Sequence, residues 1–431
     1  MSEFATHQQD SLELSTVEPT VLPIGEAVLK IHSRCNLNCD YCYVYNLGDQ
    51  SYLEQPKEMS NDTVDRFADR LAEYLELQRP RVFAVTFHGG EPLLRSPKFI
   101  DRTVRTLRAA NTTNTVLQFG MQTNGALLSD AHMETIRRNA ISVGISLDGN
   151  QLANDRHRLT RGGKSSFDDV VRGIRQFDDD RYSDNFGGIL SVVDIKNNPV
   201  ETYNTLRAFA PPSIDFLLPH GNWRTPPPGL ETREQREDAP YADWMCAVFD
   251  EWWPGDTTLT SIRYFESIIR TLTGNSSLVE SIGGLASGGL VVLESDGSYE
   301  LVDTLKSAPE LTYKTGLNVR KHSLEQANQY MARHAQKMGA TTLAHICEVC
   351  PVVRQCGGGY TPHRYNTQTK FTERSVYCLD LMQIIHHIRG RLEFRSRELK
   401  GRAMIKSIPE PIEQPRQTSI SGGRTVLPII G

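Results

Sequence analysis

Apolar and polar positions alternate along the first half of the chain in a way that predicts strands followed by helices. Short apolar runs, typical of buried strands, lie at residues 28–31, 82–87, 116–121, 143–147, 188–193 and 214–218. Segments with apolar residues at helical spacing separate them, and the first follows Ser60, a residue type that often caps helices. Strands that alternate with helices predict parallel strands joined by right-handed crossovers. We therefore expect six β/α units from residue 28 onward.

Composition narrows the class of protein. The chain has 431 residues and a net charge of -5, which argues against the basic surface that nucleic-acid binding usually needs. No apolar run approaches the roughly 18 residues of a membrane span. The first 25 residues lack the basic start and apolar centre of a secretory signal. We therefore expect a cytoplasmic protein that binds neither nucleic acid nor membrane.

Three of the eight cysteines lie close together directly after the first predicted strand, at Cys35, Cys39 and Cys42. A tight loop with this spacing can point three thiolates at one small volume, which suits a cubane of iron and sulfide. Because a [4Fe-4S] cluster normally takes four cysteines, a set of three leaves one iron open to a small molecule. Zinc is the alternative metal, although its sites usually repeat the two-residue spacing and add a fourth Cys or His nearby.

The pattern Cys-x3-Cys-x2-Cys, with Tyr41 before the last cysteine, resembles the signature of the radical S-adenosylmethionine (SAM) enzymes. The resemblance implies an α/β fold, a partial (β/α)6 TIM-like barrel. It also implies that the methionine part of SAM binds the open iron. One electron from the cluster then cleaves SAM to a 5'-deoxyadenosyl radical. We accordingly expect a radical SAM oxidoreductase.

Short motifs at the ends of the predicted strands give candidate SAM ligands, because strand ends carry function in such barrels. The Gly-Gly-Glu-Pro sequence at residues 89–92 resembles the family motif that holds the SAM amino group. Arg158 is a candidate partner for the SAM carboxylate, because a guanidinium group can bind a carboxylate through two parallel hydrogen bonds. The alternative is that Arg158 is a solvent-exposed loop arginine. The cofactor-binding candidates are Tyr41, Gly89, Gly90, Glu91, Gln122, Ser146 and Arg158.

A second group of cysteines closes a four-thiolate set without an open position. Three glycines at residues 357–359 let the backbone fold tightly around a large group. Taken alone, the set also suits a structural zinc; beside the first motif, a second [4Fe-4S] cluster is favoured. Cys246 lies apart and is interpreted as a buried apolar residue. The second group comprises Cys347, Cys350, Cys356 and Cys378.

This part of the sequence resembles the SPASM extension of peptide-modifying radical SAM enzymes, in which seven cysteines usually bind two auxiliary clusters. Here Val302 and Tyr360 stand at two of the family's cysteine positions. A valine cannot ligate iron, so we expect one auxiliary [4Fe-4S] cluster. In related sulfatase-maturating enzymes an aspartate that matches Asp303 takes a proton from the substrate. Asp303 is therefore a candidate general base, and a structural carboxylate is the alternative.

The expected organisation has five parts. A flexible segment precedes a radical SAM barrel, which a helical linker joins to a SPASM-like or twitch-like domain and a helix end with a flexible tail. His220 and Trp223, after the sixth strand, lie where they could contact a substrate or simply pack. The predicted bounds are 1–24, 25–225, 226–280, 281–390 and 391–431.

Finer features over residues 25–390, including the sequence around the first cysteines and residues 350–359, resemble the FxsB group of radical SAM/SPASM maturases. Members and relatives of this group modify ribosomally made precursor peptides. The resemblance therefore implies a cyclophane crosslink from an aromatic ring to a β-carbon, a precursor peptide with a leader, and an electron donor such as flavodoxin or ferredoxin. The alternatives are formylglycine formation of the sulfatase-maturase type, against which the missing auxiliary site argues, and a non-catalytic iron–sulfur redox or binding protein.

Overall fold

The computed structural model describes residues 22–47, 49–253, 259–283, 288–308, 313–337 and 342–405. The flexible ends predicted within 1–24 and 391–431 fall mostly outside these ranges. The strands are β1 (Leu22–His32), β2 (Val82–Gly89), β3 (Val116–Thr123), β4 (Ile141–Ser146), β5 (Phe186–Val192), β6 (Ile214–Leu217), β7 (Gly288–Leu293), β8 (Ser298–Glu300) and β9 (Lys314–Asn318).

The helices follow the strands in the order that the sequence pattern predicted. They are α1 (Asn61–Gln78), α2 (Pro97–Ala110), α3 (Asp130–Arg138), α4 (Gln151–His157), α5 (Phe167–Arg175), α6 (Pro199–Arg207), α7 (Arg233–Glu237), α8 (Pro240–Trp252), α9 (Arg263–Leu272), α10 (Leu324–Lys337), α11 (His345–Glu348), α12 (Val353–Cys356) and α13 (Cys378–Ile405). Ser60 caps α1 as expected, since its hydroxyl accepts a hydrogen bond from the N–H of Thr63.

The described strands form one sheet in the order β6-β5-β4-β3-β2-β1-β7-β8-β9. Strands β1 to β6 run parallel to their neighbours, which confirms the predicted six units and the partial (β/α)6 architecture. On β1, Leu29 and Ile31 face the helices and join the main core, whereas Glu26 and Lys30 point to the opposite, inner face. These polar residues explain why the apolar pattern predicted only the end of this 11-residue strand.

The C-terminal extension contacts the rest of the chain through the sheet and through helix α13. β7 pairs parallel with β1, and β8 and β9 continue the sheet as an antiparallel hairpin. On the other side, the Asp380 carboxylate at the start of α13 accepts from the N–H groups of Tyr241 and Ala242 at 2.9 and 3.0 Å and so caps α8. The aromatic stripe of α8 and Cys246 are buried in the core, as the helical spacing predicted. The domain bounds stay a prediction.

Among the described helices, none combines the length and the apolar content that crossing a membrane requires.

Candidate active site

The first cysteine loop follows β1 and faces a cavity at the carboxyl ends of the parallel strands. Cys35, Cys39 and Cys42 all line this cavity, and none forms a disulfide. Burial raises the pKa of the Cys35 thiol to about 12 and that of the Cys39 thiol to about 11. Buried thiols ionise readily only when a metal supplies compensating positive charge. The donor set therefore fits an iron–sulfur cluster, and the assignment of these three ligands stays our prediction.

The Gly-Gly-Glu-Pro turn after β2 holds the cysteine loop in place. Gly89 has a φ of +139°, and a Cβ at this position would lie 2.2 Å from the carbonyl oxygen of His32. The N–H of Gly90 donates to that carbonyl at 2.8 Å, and the N–H of Glu91 donates to the carbonyl of Arg34 at 3.1 Å. Close backbone packing thus requires the glycines. Because these two N–H groups have partners, the turn can offer SAM its carbonyl oxygens.

The Glu91 carboxylate joins this turn to the end of β3. It accepts from the N–H of Leu93 at 2.9 Å, from the hydroxyl of Thr123 at 2.6 Å and from the N–H of Asn124 at 2.8 Å. Asn124 in turn donates to the side chain of Asn36, within the cysteine loop, at 2.8 Å. Both Glu91 oxygens have protein donors, so we assign Glu91 a positioning role, which the sequence motif did not distinguish from direct SAM binding.

Tyr41 links the cysteine loop to the far side of the cavity. Its hydroxyl donates to the Asp148 carboxylate at 2.6 Å and accepts from Nη1 of Arg158 at 2.8 Å. Arg158 is 6% exposed, so it is not the loop arginine in water that the sequence left open. Asp148 also accepts from the N–H of Val192 at 3.0 Å. The sequence placed Asp148 after the fourth strand but gave no signal for this role.

Gln122 and Ser146 lie side by side at the ends of β3 and β4 and line the same cavity. Nε2 of Gln122 donates to the Ser146 hydroxyl at 2.9 Å. Among the described residues, Oε1 of Gln122 and Nε of Arg158 are buried without a hydrogen-bond partner. An unsatisfied acceptor and an unsatisfied donor at one cavity indicate a polar ligand. SAM, with hydroxyl, amino and carboxylate groups, fits this arrangement.

A buried ionic cluster lies beside the cavity but outside its lining. Lys30 on β1 lies 2.9 Å from Glu294 and 3.1 Å from Asp303, and Lys306 lies 2.6 Å from Glu294, 3.1 Å from Glu300 and 3.3 Å from Asp303. The ammonium groups occupy the positions that a cation would take between the three carboxylates. Burial alone would raise the pKa of Asp303, but the charges of both lysines outweigh burial and hold it well below its usual range.

The sequence predicted Asp303 as a base without its lysine partners: Lys30 lies 273 positions away, and Lys306 lies three residues after Asp303. Lys30 interrupts an apolar run, and that interruption was the available signal. Lys30 pairs with His88 in the register of β1 and β2 and contacts Glu294 of the ionic cluster, while His88 and Gln122 both line the cavity, so a row of polar residues connects the cluster to the cavity. This polar row comprises Glu294, Lys30, His88 and Gln122.

Val302 and Tyr360, which stand at two of the family's cysteine positions, make packing and hydrogen-bond contacts with neighbouring residues. Val302 is half-buried and packs against a small apolar cluster that contains Leu305 and Tyr313. The Tyr360 hydroxyl lies 2.6 Å from that of Thr304 in a hydrogen bond. Neither side chain offers a thiolate to a metal.

The four cysteines of the second group line one small cavity of their own. α11, α12 and the first residue of α13 bring them together, with Cys347 on α11, Cys356 at the end of α12 and Cys378 at the start of α13. The three glycines after Cys356 have φ values of 64°, 84° and 79°. A Cβ on Gly359 would lie 2.7 Å from Cβ of Ser375, so this turn needs glycine. A closed set of four thiols suits an auxiliary cluster.

Of the two residues after the sixth strand that could contact a substrate or simply pack, only His220 lines the cavity. His220 lines the cavity and packs edge-on against Tyr43 at 4.8 Å between ring centroids. Trp223 is not part of the lining, and its indole N–H donates to the carbonyl of Arg374 at 2.6 Å. Trp223 is therefore a packing residue.

Comparison with known proteins places this geometry in a family context. The model of the Radical SAM superfamily matches residues 29–205. A serine-type anaerobic sulfatase-maturating enzyme of Bacteroides thetaiotaomicron is 26% identical over 418 residues, which cover 93% of this chain and 98% of that protein. A cysteine-type anaerobic sulfatase-maturating enzyme of Clostridium perfringens is 24% identical over 374 residues, covering 86% and 97%.

Solved structures show the same fold. Native anSMEcpe with bound AdoMet, that is SAM, and the Cp18Cys peptide matches with a TM-score of 0.73 at 21% identity and covers 88% of this chain and 100% of that chain. Streptococcus suis SuiB bound to the precursor peptide SuiA matches with a TM-score of 0.55 at 14% identity, covering 84% and 76%. The fold is thus of the radical SAM/SPASM type.

These findings correct the predicted reaction. The predicted cyclophane crosslink was wrong, because the two relatives described above, which cover 93% and 86% of the chain, are sulfatase-maturating enzymes and fit the alternative reading. The absence of a cysteine at position 302, taken from the sequence as an argument against that alternative, was not sufficient to exclude it. Residues 29–205 form the radical SAM core of an enzyme whose cofactors are SAM and [4Fe-4S] clusters.

Proposed function

We propose that this enzyme oxidises the β-carbon of a cysteine or serine residue in a polypeptide substrate to an aldehyde, which yields formylglycine. The observation that carries the proposal is the match along nearly the full length of the chain to sulfatase-maturating enzymes. The cavity supports it, since polar side chains for SAM and proton-accepting groups lie side by side at the strand ends. The reaction removes two hydrogens from the substrate side chain. Unlike a crosslink, it forms no bond between two residues of the substrate.

The two cysteine groups and the residues of the cavity have different roles in the proposed reaction. Cys35, Cys39 and Cys42 would hold the cluster that binds SAM, and the second group of cysteines would hold an auxiliary cluster able to accept one electron. When bound, the first cluster and SAM supply a radical that takes a hydrogen atom from an unactivated carbon. Arg158 and Gln122 orient SAM through the groups that lack protein partners. His220 and Tyr43 form an aromatic wall of the cavity through their edge-on ring contact.

The substrate we propose is a segment of a ribosomally made polypeptide, held at the barrel mouth through flanking residues that act as a leader. The resemblance to the FxsB group and the two peptide-bound structures support a peptide substrate. We further propose flavodoxin or ferredoxin as the electron donor and the cytoplasm as the location, because a low-potential cluster and eight free thiols require a reducing compartment.

The test uses anaerobic, iron-loaded protein with SAM, a reductant and peptides of sulfatase type that carry either Cys or Ser at the target position. The expected products are 5'-deoxyadenosine and a peptide aldehyde, detected by mass spectrometry and by capture with a hydrazide. Cys39→Ala should abolish both products. Cys246→Ala, which changes a core cysteine outside both groups, should retain them.

Two results would overturn the proposal. One is SAM cleavage by the wild-type protein without an aldehyde in either peptide. The other is unchanged product formation by Cys39→Ala, because that cysteine would then not hold the reacting cluster.

A further inference from the structure

The oxidation proposed above releases a proton whose acceptor has to reach the substrate. Conversion of a CH2–SH or CH2–OH group to C=S or C=O removes a hydrogen atom, a proton and an electron. The hydrogen atom goes to the 5'-deoxyadenosyl radical, the electron to an oxidised iron–sulfur acceptor, and water afterwards replaces sulfur in the cysteine case. The proton requires a basic group in the wall of the cavity.

Asp303 does not meet this requirement in the structure. It does not line the cavity, and its carboxylate lies between the ammonium groups of Lys30 and Lys306 at 3.1 and 3.3 Å. Protonation would remove a negative charge from between two buried cations, which is unfavourable. The carboxylate that the resemblance suggested as the base is therefore a weak proton acceptor at this place.

His88 lies where a proton acceptor is needed. It is the second-last residue of β2, lines the cavity, and pairs with Lys30 in the register of β1 and β2. Its Nδ1 lies 3.2 Å from the carbonyl oxygen of Gly89. Since a carbonyl oxygen only accepts, this contact places the ring proton on Nδ1 and leaves the lone pair on Nε2. Nε2 makes no hydrogen bond to any described residue.

The surrounding charges suit a neutral base that becomes charged during the reaction. Burial lowers the pKa of His88, so the ring is neutral at neutral pH and can accept a proton. Asp303 and Glu294 face the ring from the extension and favour the imidazolium, while Lys30 from β1 opposes it. His220, the other histidine of the lining, has a pKa lowered by burial to about 4, and no carboxylate raises it.

We propose that Nε2 of His88 accepts the proton from the thiol or hydroxyl group of the substrate, with Asp303 as the neighbouring charge that stabilises the imidazolium. This inference rests on the proposed function. It makes His88 a catalytic residue and gives Asp303 a positioning and electrostatic role in place of the predicted direct one.

The matched variants are His88→Gln and His132→Gln; His132 is a buried histidine of α3 that does not line the cavity. Glutamine can keep a donor near the Gly89 carbonyl and fills a similar volume, but it cannot act as a base. We expect His88→Gln to cleave SAM with substrate present, to bind the substrate peptide with unchanged Kd, and to form roughly 100-fold less aldehyde per 5'-deoxyadenosine. The pH dependence of aldehyde formation should lose its acid limb. His132→Gln should keep the wild-type ratio of aldehyde to 5'-deoxyadenosine.

A spectroscopic measurement tests the tautomer independently of turnover. In 15N-histidine-labelled protein, the signal that disappears in His88→Gln should show a protonated Nδ1 and an unprotonated Nε2 at neutral pH. A protonated Nε2, or an unchanged product ratio in His88→Gln, would overturn the assignment of His88 alone. Absence of aldehyde from the wild-type protein would instead overturn the proposed function, and the proton transfer with it.

Discussion

The two cysteine sites differ in what surrounds them. Around the first group, the cavity wall comes from the ends of several strands and includes polar groups without partners, such as Gln122 and Arg158. Around the second, a small cavity is lined by four cysteines with few other residues, mainly apolar side chains, Arg374 and Ser375. The first site leaves room and hydrogen-bonding capacity for another molecule, whereas the second closes on its own ligands.

This difference shows how one chain can use the same kind of ligand for two purposes. An iron with an open position needs a neighbourhood that binds and orients a second molecule. A cluster that only exchanges electrons needs enclosure and a fixed set of thiolates. The loop after β1 provides the first environment because five further parallel strands end beside it. The turn through Gly357 and its neighbours provides the second because local helices converge there.

The largest effects are expected from removing a cysteine, and the two sites should respond differently. Cys350→Ala should keep substrate-dependent SAM cleavage but lose nearly all aldehyde, since the electron acceptor is lost while radical formation is not. Cys42→Ala should lose both. Iron content, 5'-deoxyadenosine and aldehyde measured on the same samples separate the two outcomes. Loss of SAM cleavage in a folded Cys350→Ala protein would contradict the division of roles.

The next largest effect concerns the glycine that fits the first loop onto β2. A Cβ on Gly90 would lie 1.9 Å from the Tyr45 hydroxyl oxygen and 2.5 Å from the Arg34 backbone. Gly90→Ala should therefore displace the cysteine loop and lower the free energy of unfolding by about 3 kcal/mol. Gly163, with a φ of +74° and no neighbour within 4 Å of its Cβ position, is the matched control.

For Gly163→Ala only the conformational cost remains, which is about 1 kcal/mol. Urea unfolding of both variants measures the difference. Equal losses of stability would mean that the close approach between the turn and the cysteine loop does not constrain the site.

The sequence predicted local features well and long-range polar contacts poorly. The six parallel strands and the cysteine sites follow from periodicity and spacing, which neighbouring residues determine. The Lys30–Glu294 pair joins residues 264 positions apart, so no local pattern reports it. The same holds for Asp148, whose carboxylate meets Tyr41 only after the barrel has formed. The contact between Lys30 and Asp303, 273 positions apart, was missed for the same reason, whereas Lys306 lies only three residues after Asp303 and was overlooked.

A smaller effect is expected at the SAM side of the open cavity. Arg158→Gln removes the buried guanidinium and leaves the Tyr41–Asp148 pair without its cation, so the Kd for SAM should rise roughly 10- to 100-fold. Tyr41→Phe removes only the hydroxyl between Arg158 and Asp148, and a rise of about fivefold is expected. Calorimetric titration with SAM measures both. A larger effect from Tyr41→Phe would place the main SAM contact on the tyrosine.

The smallest effect tests how the open site is tied to the barrel. His157, at the end of α4, contacts Asp40 of the cysteine loop at 2.9 Å and Asp194 at 3.2 Å. Burial alone would lower the pKa of His157, but hydrogen bonds and charges of Asp194 and Asp40 raise it. A raised pKa means that the folded state favours the protonated ring. The stabilisation is therefore complete below the unfolded pKa of about 6.5 and is lost as the pH rises through the folded value.

His157→Gln should accordingly cost about 1 kcal/mol of unfolding free energy near pH 6 and much less near pH 9. Denaturant unfolding of both proteins across this range measures the difference. Of the two cysteine groups, this contact holds only the first loop. In the wild-type protein, the cluster content of that loop should therefore fall as the pH rises and the stabilisation by His157 is lost, while the second site keeps its iron. A difference in stability that grows toward pH 9 would contradict the sign of the shift and show that neutral His157 is the form the fold prefers.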